Sequence, residues 1–198
     1  MRNCFETRPL QDDRATDVRL AEFHAALDRI HLMPAVAGLE PHDYVAMADA
    51  LLDAYDSQPI KFLDDWRVTS FITDNSRQVG QCRRCAVLSS EAARLMMVRG
   101  VCTIDLSSPQ PIGLSLGNPL FDTCMVVALD FPFDRLLQSL HGLIAGGAKP
   151  RDVLWFAWFH LVTSLAVTVA TCDETAINRV QRRISAFASF AAVSGMRL

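Results

Sequence analysis

A chain of 198 residues, 51% apolar and 21% charged, is long enough to bury a substantial core and too hydrophobic to be disordered. Its net charge of −3 provides no global field that would draw it to nucleic acid. Six cysteines, with no apolar run in the leading MRNCFETRPLQDD, point to a reducing, cytoplasmic setting rather than a secreted one.

The helices announce themselves by one recurring device. Proline is followed two or three residues later by aspartate at Pro41/Asp43, Pro119/Asp122, Pro132/Asp134 and Pro150/Asp152, with Pro59 ahead of Asp64 and Asp65 a looser case. Proline suits the first helical position, and an acid in the first turn meets the positive end of the helix dipole. Apolar spacing agrees. Leu20, Phe23, Leu27 and Ile30 predict a helix over about 15–32. Tyr44, Ala48, Leu51 and Tyr55 predict one over 41–56, and Phe62, Leu63, Trp66 and Phe71 one over 60–73. Ser89 or Ser90 caps a short helix that Gly100 ends. Residues 100–117, rich in Val, Ile, Ser, Pro and Gly, read as a loop with room for a short β-hairpin. Helix resumes from Asn118-Pro119 to about 130, and again from Pro132 to about 145.

VLWFAWFHLVTSLAVTVATC, 153–172, carries no charge and is long enough to cross a bilayer. A helix apolar all round is more commonly the surrounded helix of a bundle, so membrane insertion is not favoured and His160 reads as a core residue. Thr171-x-x-Glu174 has the form of a capping box. The helix after it turns Ile177, Val180, Ile184 and Phe187 inward and Arg179, Arg182 and Arg183 outward. The chain is therefore expected to be mostly α. It would be a single multi-helix domain over 1–198, built round a central helix at about 153–170. The alternative is an α+β fold with a small antiparallel sheet from 101–130, using 101–106, 111–116 and 123–130. Pro150-Arg151-Asp152 ahead of Trp155, Phe156 and Phe159 resembles, in shape, the start of the central helix of the Bcl-2-like fold. The Asn-Trp-Gly-Arg element of that family is absent, and one helix follows instead of several.

Chemistry is thinly marked. Cys82 and Cys85 form a C-x2-C pair with two arginines between them. Cys102 and Cys124 would complete a four-thiolate zinc set, but with no second C-x2-C this is half a signature. The flanking arginines would favour thiolate. Arg77, Arg83, Arg84, Arg94 and Arg99 face one acid, Glu91, across 77–99, whereas residues 1–65 hold 13 acids against 6 bases. That segregation suits a docking patch for an acidic partner or a phosphate. G-x-S-x-G, the Walker lysine loop, G-x-G-x-x-G and H-E-x-x-H are all missing. The expectation is an intracellular regulatory or host-modulating factor that binds another protein through helical surfaces and self-associates. It would be non-enzymatic and without an obligatory cofactor. A zinc-stabilised module using the basic 77–99 stretch on nucleic acid or phosphate is the alternative, and a cysteine-dependent enzyme the third.

Overall fold

The computed structural model describes residues 13–33, 38–57, 66–99 and 113–193. Through them the chain runs α1 (Asp13–Leu32), α2 (Tyr44–Asp56), α3 (Trp66–Val79), β1 (Cys85–Leu88), α4 (Ser90–Arg99) and β2 (Leu114–Gly117). It continues as α5 (Leu120–Leu129), α6 (Phe133–Ala145), α7 (Pro150–Ala170) and α8 (Glu174–Val193). The architecture is mostly α, as the periodicities predict, with a small antiparallel sheet among the described residues.

The proline–aspartate device marks four helix starts. Pro150 occupies the first turn of α7 with Asp152 beside it, and Asp122 and Asp134 sit in the first turns of α5 and α6. Asp43 is the N-cap of α2, its Oδ1 accepting from the Val45 and Ala46 N–H groups at 3.0 and 3.1 Å. Pro59 lies outside the described residues. Ser89 caps α4 by accepting from Ala92 N at 3.1 Å.

Helix α7 is the axis of the molecule. Every residue from Asp152 to Val162 is buried, and α2, α3, α5, α6 and α8 all pack on it. Trp155 and Trp158 are fully enclosed, and each finds an acceptor for its indole N–H, Ile72 O at 2.7 Å and Ile184 O at 3.5 Å. Trp155 also stacks flat on Phe159, 5.2 Å between centroids. By length and composition α7 could span a membrane; here most of it is core.

The sheet corrects the sequence reading. β2 pairs not within 100–117 but with β1, antiparallel in the register Cys85↔Gly117 to Leu88↔Leu114. Pro41 adds a parallel bridge to Leu116, and His42 N donates to Leu116 O at 2.8 Å. Hydrophobic period alone could not show this pairing, because α4 and residues 100–112 separate the strands and each is only four residues long. The strand proposed at 123–130 falls on α5 and its C-cap Asp130, and those at 101–106 and in the first part of 111–116 lie outside the described residues. Gly117 is required where it stands, since a Cβ there would lie 2.6 Å from the Tyr44 hydroxyl and 2.7 Å from Val87 Cγ2.

Four other details differ from expectation. Helix α3 runs on to Val79, because Ile72, Ser76 and Val79 continue its buried face past 73. Trp66 is 72% exposed at the start of α3 instead of facing the core. Helix α8 is capped by Asp173, whose Oδ1 accepts from Ala176 N at 2.9 Å, while the Thr171 hydroxyl turns back to Thr168 O. Arg183, expected outside, is 7% exposed. It reaches across to α5, where Nη1 donates to Ala128 O at 2.8 Å and Nη2 to Phe131 O at 2.6 Å. Carbonyls at a helix C-terminus lack partners within the helix, so a guanidinium is a suitable cap for them.

Candidate functional site

Helix α6 is amphipathic with an apolar arc wider than its core contact needs. Leu136 and Leu140 are fully buried, and the adjoining stripe, Phe133 and Leu137, is 46% and 40% exposed. Those two are one turn apart and so share a face. Phe133 closes one end of a groove of about 540 Å³, whose other wall is the outer face of α8, including Asn178, Arg182, Ser185 and Ser189. The Arg182 guanidinium sits 5.3 Å from the Phe133 ring centroid, a cation–π contact that holds the ring at the groove edge. Farther along, His141 packs edge-on against Phe190, fastening α6 to α8. Sequence reading missed Phe133 and Leu137. The signal was the doubled i,i+4 stripe in FDRLLQSL, two apolar rows where burial against a bundle uses one.

The cysteines fall in a different place. Cys85 is the first residue of β1 and Cys82 lies in the bend before it, both half-buried and both free thiols. Burial raises the Cys82 pKa, outweighing the opposing charge of Arg84 and Lys149, and Asp152 adds to the rise. Burial pushes Cys85 up to about 11, with the charges of Asp122 and Cys82 in support. The neighbouring arginines favour thiolate, as expected, but desolvation is the larger effect and the neutral thiol wins. Cys124 is fully buried in α5, and burial raises it further. Cys102 lies outside the described residues. Among the described residues no group of three or more His, Cys, Asp or Glu side chains is placed to hold a metal ion. Cys82, Cys85 and Cys124 do not form such a group.

Of the predicted arginines, Arg77 ends α3, Arg83 and Arg84 lie in the loop before β1, and Arg94 lies on α4. All four are exposed. Arg99 closes α4. The loop gains a base that sequence proximity could not show. Lys149, immediately ahead of α7, acts on Cys82 together with Arg84. Arg151 in turn holds Gln78 and Asp152 by its guanidinium.

Around β1 and the start of α5 lies a buried polar cluster that brings together Asp122, Tyr44 and His160, residues the sequence named one by one, with His31 and His42, which it did not. Asp122 is fully buried in the first turn of α5, and its Oδ1 is 2.7 Å from His31 Nε2 at the end of α1. The same carboxylate accepts from Thr123 N at 2.9 Å and Leu88 N at 3.3 Å, so it ties α1, β1 and α5 together. Burial alone would lower the His31 pKa. The hydrogen bond to Asp122, with the charges of Asp122 and Asp28, more than offsets it and the pKa is raised. His42 and His160 are the opposite case. Burial lowers them to about 4 and about 3, and both pack edge-on against Phe121 at 4.5 and 4.7 Å. His160 Nε2 is 2.6 Å from Phe121 O; a carbonyl can only accept, so Nε2 carries the hydrogen. Among the described residues its Nδ1 and both nitrogens of His42 are buried without a partner. The Tyr44 hydroxyl accepts from Asn118 N at 2.7 Å in the same layer, and burial raises its pKa too.

No protein-family model, no curated protein and no solved structure matches the chain.

Proposed function

We propose that the protein is a non-enzymatic interaction factor that docks another protein against the α6–α8 face, in a reducing intracellular compartment. The observation that carries this reading is the outward pair Phe133 and Leu137, 46% and 40% exposed one turn apart beside a groove. Aromatic anchors next to an arginine are the side chains that dominate protein–protein interfaces. A helix with i,i+4 anchors is the kind of partner such a groove accommodates, and a second copy of this chain is one such partner. Lowered thiolate character at Cys82, Cys85 and Cys124 gives a cysteine nucleophile no support.

The test compares wild type with a Phe133→Asp/Leu137→Asp double variant. Wild type is expected to bind an apolar-surface dye and to sediment above monomer mass at high concentration, and the variant to lose both with its circular dichroism unchanged. A wild-type protein that is a monodisperse monomer with no dye-accessible apolar surface would remove the basis of the proposal.

A second reading draws on the basic loop. Arg84 and Lys149 act on Cys82 and Arg83 on Cys85, a basic neighbourhood that suits a phosphate or an acidic segment. It requires salt-dependent binding that weakens when Arg83 and Arg84 become alanine.

A further inference from the structure

A second cavity, of about 210 Å³, lies among α4, α5, α7 and α8, away from the α6–α8 groove. Its two sides differ in chemistry. Helices α4 and α5 supply thioethers, Met96, Met97 and Met125, which adapt to irregular apolar shapes. Helices α7 and α8 supply the hydroxyls of Ser164 and Thr168 and the guanidiniums of Arg179 and Arg183. Asp130 is the acid on its wall, so the lining carries a net positive charge.

Arg183 is the unusual member. It is 7% exposed, its two amino groups are committed to Ala128 O and Phe131 O, and its Nε is buried with no partner among the described residues. Among the described residues no carboxylate forms an ion pair with it; Asp130 acts on it through space, opposed by Arg179. A buried cation bonded only to carbonyls, with its acidic neighbour acting at a distance and a second arginine opposing it, is a costly arrangement to leave incomplete.

We infer that this cavity binds a small amphipathic carboxylate, with an aryl or short branched alkyl body against the methionines and the acid at the Arg179–Arg183 edge. Size agrees, since a cavity of roughly 150 Å³ suffices for benzene, leaving space here for a short acid arm. Charge selects the acid, because a carboxylate accepts from two guanidiniums and a neutral amide of the same shape cannot neutralise them.

The experiment follows the methionine methyl resonances of the full chain while titrating phenylacetate and its uncharged counterpart, phenylacetamide. The expected result is saturable shifts with phenylacetate, at a dissociation constant on the order of 1 mM or below. Phenylacetamide should bind roughly tenfold more weakly or worse. Arg179 is exposed, so Arg179→Gln should keep the fold and abolish the preference for the acid. Met97→Trp, at a half-buried position on the wall, should remove the shifts at Met125. No saturable shift with phenylacetate, equal affinity for acid and amide, or wild-type discrimination in Arg179→Gln would each overturn the inference.

Discussion

Three histidines in the layer around β2 and the start of α5 titrate in opposite senses, and their environments give the sign. His42 has a folded pKa of about 4 against an ordinary 6.5, so the unfolded chain binds its proton first as pH falls. Stability is therefore intact above pH 6.5 and declines from there toward pH 4, by on the order of 3 kcal/mol from this one residue. His160 adds a loss of the same sign that continues toward pH 3. His31 works the other way: its pKa is raised, so the stability it contributes is fully present below pH 6.5 and is lost as pH climbs through the raised value. Urea midpoints measured across pH 4 to 8 should fall on the acid side for wild type, and His42→Leu should flatten that fall. The penalty for His31→Gln should be largest on the acid side and shrink toward pH 8. Equal pH slopes in wild type and His42→Leu would mean that His42 is not buried in its neutral form.

Helix ends were partly legible in the sequence and partly not, and α8 shows why. Thr171 and Glu174 have the spacing of a capping box, but Thr171 is the C-cap of α7 and Cys172 takes a positive φ of 55°, so the chain has already turned before the box could form. That leaves Asp173 to cap the first turn. Asp173→Ala should destabilise the fold by about 1 kcal/mol and Thr171→Ala by much less, as read by thermal melts of the two variants. The same limit explains Arg183. A charged residue beside a helix's apolar stripe reads as outward until a neighbouring helix end supplies carbonyls for it, and that neighbour, α5, lies more than 50 residues away in sequence. The core stripe of α2 was legible from its own spacing, and the enclosure of α7 from its long uncharged run. The β1–β2 register and the His31–Asp122 contact were not, being set by the approach of segments distant in the chain. For the candidate site, the doubled stripe of α6 shows one apolar row more than a bundle contact uses, but which of the two rows stays exposed depends on what packs nearby.

At the scale of the whole molecule, the three tryptophans sort by depth. Trp155 and Trp158 are fully buried in α7, whereas Trp66 is 72% exposed. Acrylamide should quench a single, red-shifted fraction of the emission, and Trp66→Phe should remove that fraction while leaving a blue-shifted, quencher-resistant signal. Uniform quenching of all three would mean that α7 is not enclosed.

The long sequence separation between α7 and the helices it packs on also has a consequence for how the protein is made. Tyr44 and Phe71, on α2 and α3, lie against Phe156 and Trp158 of α7, and Trp155 bonds to Ile72, so the N-terminal helices meet their packing partners only after about 100 further residues have been added. At roughly 5–20 residues per second, the ribosome leaves those faces without a partner for several seconds. During that interval the nascent chain is a row of amphipathic helices around a missing centre. Until α7 emerges, the apolar faces of α2 and α3 lack the aromatic partners they have in the folded chain.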